Sequence, residues 1–433
     1  MTAARAMDPR TRRLWIAIIV AGFVLRAIWA LFVPIFPVSD SSAYDELAWN
    51  LASHGTYAWN TGEFTAYWPV GTPFIYSLLF RVFGHDYAPI AALNVLLGTG
   101  TIAMIMALAQ RWVSTWAALA AGALFAFWPM QIEFTSIMAS ELIFNLLALV
   151  ALWLALEAPF KSMLVRALIV GLVLAVASYV RVQALLFPLI LALALIWRRR
   201  MSWRELGIFV AVTAVTMAVC IAPWTIRNAN VLGAPFLIAS NSGAASWVGN
   251  NPQSNGECMP FPDDVKQMSE AERDRVLKAR TKDFIAHNPG RFIELSLNRL
   301  YLTHNRETMG VVWNEESLSR YVSPPAITAA KAFSSLYWLG ALALGIAGAI
   351  LVLMRERWRG VIHPAVMLWG YFAAVHAVTQ ASDRYHLPSV PYIAILAGLA
   401  LAEVWRRYST RTGDRLALRP AEQESRAPAP SSS

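Results

Sequence analysis

The sequence predicts an all-α polytopic membrane protein with about ten transmembrane helices, and three observations carry that expectation. Of its 433 residues, 57% are hydrophobic and 15% charged, against about 25% charged in a soluble domain; the mean hydropathy is +0.47. Apolar runs near the roughly 20 residues that a helix needs to cross hydrocarbon recur along the chain. Lys and Arg gather at alternate ends of those runs. A water-soluble globule is thereby excluded. The 18 Trp and 14 Met suit a surface bathed in lipid, whereas Cys220 and Cys258 are too few for a disulfide framework.

The first run, 14–33, is too long for the apolar core of a secretory signal and no small-residue cleavage site follows it, so it reads as a span. Runs at 88–109, 115–132 and 134–156 come next. A straight helix over 162–197 would be roughly 54 Å long, too long for a core of about 30 Å. That tract is expected to cross twice or re-enter, turning at Tyr179, Val180 and Arg181. Runs at 206–226, 332–354, 361–382 and 385–402 complete the set.

Arg5, Arg10, Arg12, Arg13, Arg111, Lys161, Arg166, Arg198, Arg199, Arg200, Arg204, Arg355, Arg357, Arg359, Arg406 and Arg407 all fall on one side. The short connections on the other side carry only Arg181 and Arg384. The positive-inside rule makes the first side cytoplasmic, with 1–13 and 409–433 as cytoplasmic termini around a membrane portion at 14–408. The net charge of +9 is then mostly topology, and no nucleic-acid partner is expected.

Two long segments face outward, 34–87 and 227–331. In the first, the apolar stretch 72–83 is expected to lie along the membrane surface. In the second, basic and acidic residues nearly cancel. Ser269 and Glu272 form a capping box for a helix running to His287, and Pro289 opens another running through Asn305. The tail 409–433, rich in Arg, Pro and Ser, is expected to be disordered. No internal repeat of fixed period is visible.

Few ionisable residues remain near the membrane once the cytoplasmic positives are set aside: Asp40, Asp45, Glu133, Glu141, Arg181, Arg227, Asp383, Arg384 and His386 at the outer boundary, and Arg26 in mid-span. An ion at that depth is costly unless it lines a polar cavity or pairs. Carboxylates and guanidiniums drawn from distant segments to one depth are the pattern of an outward-facing site, with acids for proton transfer or metal and arginines for phosphate. Each has a bland alternative. Asp40 suits an N-cap, Asp45 an exposed helix side, Arg181 a snorkelling position, and Arg26 a pairing with another helix. His54, His287 and His304 read as surface residues, and His363 and His376 as helix-packing groups. Glycine-rich phosphate loops, His-Glu-x-x-His, Cys-x-x-Cys and Gly-x-Ser-x-Gly are all missing, so any energy source must come with the substrate or a gradient.

The stretch from Ser39 through Ala48, with Gly55-Thr56-Tyr57 and Phe64-Thr65-Ala66-Tyr67-Trp68-Pro69-Val70-Gly71-Thr72-Pro73, resembles the first outer loop of the GT-C membrane glycosyltransferases. It is similar in particular to bacterial members such as the lipid A aminoarabinose transferase and the lipopolysaccharide-core galacturonosyltransferases. Ser140-Glu141-Leu142-Ile143-Phe144, Pro223 through Asn228 with Gly249-Asn250-Asn251-Pro252, and Asp383 through Pro388 agree with later stretches of the same family.

The resemblance implies a sugar donor on a polyprenyl phosphate and a glycolipid, glycan or protein acceptor. It also implies transfer with inversion at the outer face of a bacterial cytoplasmic membrane. Asp40 then matches the general base and Glu141 a second acidic position; where relatives use a divalent ion these two would hold it, and no other cofactor is implied. Arg181 and Arg384, with Arg227 third, match donor-phosphate ligands, and Tyr44, Tyr67, Trp68, His386, Asn250 and Asn251 are candidate substrate contacts. The chain departs from the aminoarabinose transferase at Tyr67-Trp68-Pro69, where a lysine would follow an acidic residue before the proline. By the same resemblance, it is expected to lack a counterpart of the large C-terminal outer domain of many relatives. The resemblance therefore leaves acceptor recognition to 227–331, where Trp247 and Trp313 are candidates to stack on sugars. Two alternatives stay open: a transporter or flippase for a lipid-linked glycan, favoured by Arg26 and the split tract, and a glycan ligase or polymerase.

Overall fold

The computed structural model describes residues 7–198 and 201–411. Among these the regular structure is helical, apart from one isolated bridge between Ala58 and Phe64. Helix α1 (Pro9–Phe32) is started by Asp8, whose carboxylate accepts the Thr11 amide. In the first outer segment α2 (Asp40–Ser53) packs on α3 (Gly71–Phe83). Then come α4 (Ala88–Trp112) and α5 (Thr115–Ala126), the latter capped by Ser114. Pro129 opens the short α6 (Pro129–Glu133), and the chain bends by 60° at this break.

Next are α7 (Glu141–Leu156), α8 (Met163–Val180), α9 (Phe187–Arg198) and α10 (Trp203–Leu232). Ser202 and Glu205 make a full capping box at the head of α10, and Gly233, in the left-handed conformation at φ 69°, ends it. The second outer segment holds α11 (Ser242–Gly249), α12 (Asp263–Lys266), α13 (Glu270–His287), α14 (Pro289–His304), α15 (Met309–Trp313) and α16 (Glu315–Leu318). Three helices close the chain: α17 (Pro324–Glu356), α18 (Pro364–Val378) and α19 (Val390–Arg411).

Six of the described helices are long and apolar enough to cross a membrane, or seven if the bent pair around Pro129 is one span. Three shorter apolar helices, Glu141–Leu156, Val182–Arg198 and Pro364–Val378, accompany them. The apolar core of α19 is 83% buried, against 11% for α1, so α19 is the central post and α1 an outer stave. It packs against α17 and α5. Gly348 makes the first contact possible, since a Cβ there would strike the Leu396 carbonyl.

The 162–197 tract does split at Arg181, which caps α8 before a 3-10 turn over Val182–Leu186. Several expected boundaries move. Helix α7 starts at Glu141 and not at 134, because Ile137 to Ser140 run non-helically and are pinned by other elements. Helix α10 runs past Arg227 through Asn228 and Asn230, and α17 begins inside the expected 227–331 segment at Pro324, a proline suited to a first helical turn. Ser269 caps α13 by accepting the Glu272 amide, and Pro289 opens α14, as the sequence suggests. Of the tail expected to be disordered, Ser409 to Arg411 belong to α19 and residues from 412 onward lie outside the described ones, as do 1–6 of the expected N-terminal segment.

Arg26 settles as a structural group. Its guanidinium donates to the carbonyls of Phe125 and Ala126 at the broken end of α5, 3.1 and 3.0 Å away, and to that of Gly22 at 3.1 Å. In hydrocarbon no water is present to satisfy carbonyls freed by such a break.

Candidate active site

Ser39 takes a positive φ of 54°, a strained conformation for a residue with a Cβ, and sets Asp40 at the head of α2. The Asp40 side chain caps nothing; its Oδ2 accepts from Arg384. Glu141 is held from below by a pinned segment: Ser41 Oγ donates to the Met138 carbonyl (2.9 Å), Tyr76 OH to that of Ala139 (3.0 Å) and Asn94 Nδ2 to that of Ile137 (3.0 Å). These bonds replace the helical ladder that 137–140 lacks and fix where α7 begins.

Arg181 Nη1 lies 2.9 Å from Glu141 Oε1 and donates to Ser140 Oγ at 3.1 Å. Arg384 Nη1 lies 3.5 Å from the same Glu141 oxygen. Two carboxylates and two guanidiniums from four distant segments thus form one chain, Asp40, Arg384, Glu141, Arg181. Burial opposes the charge on Arg384, yet Asp40, Tyr385 and Glu141 raise its pKa well above the ordinary guanidinium value. Its guanidinium also lies over Trp313, 4.4 Å from the ring centroid. Asp40, Arg384 and Arg181 keep 15%, 12% and 11% of their side chains exposed, whereas Glu141 keeps 2%. The first three are therefore the groups a substrate reaches.

The exposed edges face a cavity of about 690 Å³, lined also by Tyr44, Trp68, Ser140, His376, Gln380, Tyr385 and Lys278. Tyr44 and Trp68 meet edge to face at 5.7 Å. Burial pushes the Tyr44 phenol above its ordinary pKa, so it faces the cavity as a neutral hydroxyl. An apolar cavity of about 360 Å³ lies alongside, lined by Pro188, Met217, Ile221 and Ile226 among others, and Leu185 and Leu237 border both spaces.

Five expected contacts are placed elsewhere. Arg227 donates to the carbonyls of Thr65 (2.7 Å) and Tyr57 (2.9 Å) and packs on Trp224, so it ties the first outer loop to α10 and does not border the cavity. His386 is fully buried between the Thr303 carbonyl and Glu307. Asn250 bonds Ser246, Val378 and Arg299, and Asn251 bonds its own turn at Trp247. Tyr67 turns toward Ala244, Val265 and Leu277 beneath Arg273. Of the sugar-stacking candidates, Trp247 packs in that same cluster and Trp313 lies under Arg384. His304, expected at the surface, is half-buried against Trp338 and His386, and desolvation lowers its pKa to about 4. Asp45 is not free either: His85 and Tyr87 hold it at 2.7 and 3.0 Å.

Lys278, Gln380 and His376 are among the cavity residues that escape the sequence reading. Lys278, paired with Asp274 at 2.7 Å, sits in a charged helix with no mark to separate it from its neighbours. Gln380 carries no charge to flag it. His376 reads as a packing group because its helix is apolar. Among the described residues no three His, Cys, Asp or Glu side chains converge as metal ligands. Asp40 and Glu141 are both engaged by guanidiniums, so the residues as arranged do not fit a divalent ion.

Residues 68–226 match the family described as dolichyl-phosphate-mannose-protein mannosyltransferase. No curated protein matches the chain in sequence. Among solved structures, the archaeal oligosaccharyltransferase AglB from Archaeoglobus fulgidus, in complex with an inhibitory peptide and a dolichol-phosphate, superposes with a TM-score of 0.55 and 13% identity. That match covers 94% of this chain and 52% of AglB. ArnT from Cupriavidus metallidurans, bound to undecaprenyl phosphate, gives 0.53 and 18%, covering 92% of this chain and 62% of ArnT. The chain therefore spans between half and two thirds of the length of these proteins. The likeness shows the fold alone, a polytopic helical fold shared with AglB and ArnT.

Proposed function

We propose that the protein is an inverting glycosyltransferase that moves a sugar from a polyprenyl phosphate to a glycolipid, glycan or protein hydroxyl at the extracytoplasmic face of a bacterial inner membrane. The observation that carries this reading is the convergence of Asp40, Arg384, Glu141 and Arg181 on one cavity. The adjoining apolar cavity supports a donor that arrives on a lipid chain.

In the proposed reaction the acceptor oxygen attacks the anomeric carbon opposite the phosphate, a new C–O bond forms, and the bond to phosphate breaks with its electron pair passing to the phosphate oxygen. Arg181 and Arg384 stabilise the charge that gathers there. The incoming phosphate competes with the two carboxylates for the guanidiniums. Asp40, relieved of Arg384, has lone pairs free to take the acceptor proton. Attack opposite the leaving group inverts the anomeric centre. The lipid phosphate carries the bond energy, so no nucleotide loop is needed.

The full-length protein reconstituted in liposomes, supplied with polyprenyl-phosphate sugars and membrane glycolipids, is expected to form a glycosylated product detectable by mass spectrometry. Asp40→Asn should lower turnover by about 100-fold or more while leaving folding intact. Near-normal turnover in that variant would overturn the base assignment, and donor movement without a covalent product would point to a flippase.

A further inference from the structure

His376 lies in the last turn of α18 and lines the same cavity as Asp40 and Glu141. It is 5% exposed, yet neither ring nitrogen makes a hydrogen bond of good geometry among the described residues, the Gln380 backbone being close enough to act on the ring. Buried polar atoms are rarely left unpaired, because each forfeits its hydration for nothing. A shielded imidazole with both nitrogens unpaired, on a side chain that lines the cavity, has hydrogen-bonding capacity to offer a ligand.

The ring is fixed in place. It stacks on Tyr385 with centroids 4.6 Å apart and planes 19° from parallel, and Gln380 Nε2 donates to the Tyr385 hydroxyl at 2.6 Å. The charged groups that act on His376 are Arg181 and Arg384, and no carboxylate is among them. Asp40 and Glu141, which line the same cavity, are each paired with a guanidinium. An imidazole set among guanidiniums is arranged to donate to an anion.

We infer that His376 is a ligand of the donor's phosphate, its ring N–H donating to a phosphate oxygen that Arg181 and Arg384 also bind. This inference rests on the lipid-phosphate reading above and adds a third ligand, one that the resemblance does not supply. No proton moves to or from His376 in the step; as the bond to the sugar breaks, it is a fixed donor aimed at the oxygen where the electron pair arrives. Arg227, set aside by the fold, is thus replaced by a neighbour of Tyr385.

The test is equilibrium binding of undecaprenyl phosphate, and of undecaprenol as its uncharged counterpart, to the full-length protein in nanodiscs. His376→Phe keeps the stack on Tyr385 and removes the N–H. It is expected to weaken undecaprenyl phosphate about tenfold or more and to leave undecaprenol unchanged. His376→Gln, which restores an N–H donor, should recover part of the loss. Wild-type preference for the phosphate, retained in His376→Phe, would overturn this inference alone, as would equal weakening of both lipids. A wild-type protein that binds undecaprenyl phosphate no better than undecaprenol would instead overturn the donor reading, and this inference with it.

Discussion

The turn from Asp383 to His386 has two sides, and they treat charge in opposite ways. On one side Arg384 reaches into the cavity, where Asp40 and Glu141 balance it and Arg181 completes a set of two acids and two bases. On the other, Asp383 accepts both the amide and the hydroxyl of Thr308, and His386 meets Glu307 at 2.9 Å. The His386 and Glu307 side chains are wholly buried. Glu307 has no guanidinium partner; its contacts are His386 and Trp128 Nε1. Burial raises its pKa, and the Asp383 charge adds to the rise, against the opposing Trp128 hydrogen bond. Burial lowers the pKa of His386. Both directions favour a neutral pair: a Glu307 O–H donating to Nε2, with the opposite Nδ1–H donating to the Thr303 carbonyl at 2.6 Å. Where the cavity admits water and substrate, the ions are kept and matched. Where the fold closes on Glu307, that acid keeps its proton.

The sharpest way to break that contrast is to remove one member from each side. Arg384→Gln is expected to lower transfer by about 100-fold or more, since a preorganised charge facing the leaving group is lost. Its effect on the melting temperature should be smaller than its effect on rate, because Asp40 regains water from the cavity. Glu307→Ala should do the reverse. It leaves Trp128 Nε1 and His386 Nε2 unpaired in a closed core and is expected to cost roughly 3 kcal/mol of stability. If Arg384→Gln melts as early as Glu307→Ala and still turns over, the cavity cluster is structural and the contrast fails.

Glu307→Gln sharpens the same comparison through pH. A carboxyl whose folded pKa is raised binds its proton more tightly when folded, so its contribution is fully present below the ordinary carboxyl range and is lost as pH rises through the folded value. The wild type should therefore lose stability between pH 5 and the alkaline side relative to Glu307→Gln, which has no proton to lose. Parallel melting profiles over that range would show that Glu307 is ionised in the folded protein.

The four cavity charges were legible in the sequence for one physical reason. Lipid makes ions scarce, so Asp40, Glu141, Arg181 and Arg384 stand out as the few left after topology accounts for the rest. The same argument could not give side-chain direction. Arg227 and His386 lie at the same depth as the cavity charges, but one points back at the first outer loop and the other into a closed core. Asn250 and Asn251 frame their own loop for the same reason. His376 was hidden because an apolar helix suggests packing, and only the fold shows that its last turn opens on a cavity; Gln380, just past that helix, carries no charge to flag it. Boundaries slipped where hydropathy and helix part company, at 137–140 and at both ends of the second outer segment.

Arg227 allows a last and smaller test of that distinction between depth and direction. Its guanidinium holds Thr65 and Tyr57 and lies 4.8 Å from the Trp224 ring centroid and 5.5 Å from that of Phe64. The same loop is fastened from above by Glu270, which accepts from Thr65 Oγ1, from the Ala66 amide at 3.0 Å and from Ser240 Oγ at 2.7 Å. With that second latch intact and the site half-buried, Arg227→Ala is expected to cost about 1 to 2 kcal/mol in thermal stability. The donor KM should stay within a factor of about two, because no part of the phosphate site is touched. A donor KM raised tenfold with unchanged melting would return Arg227 to the phosphate and show that the loop opens during turnover to let it reach.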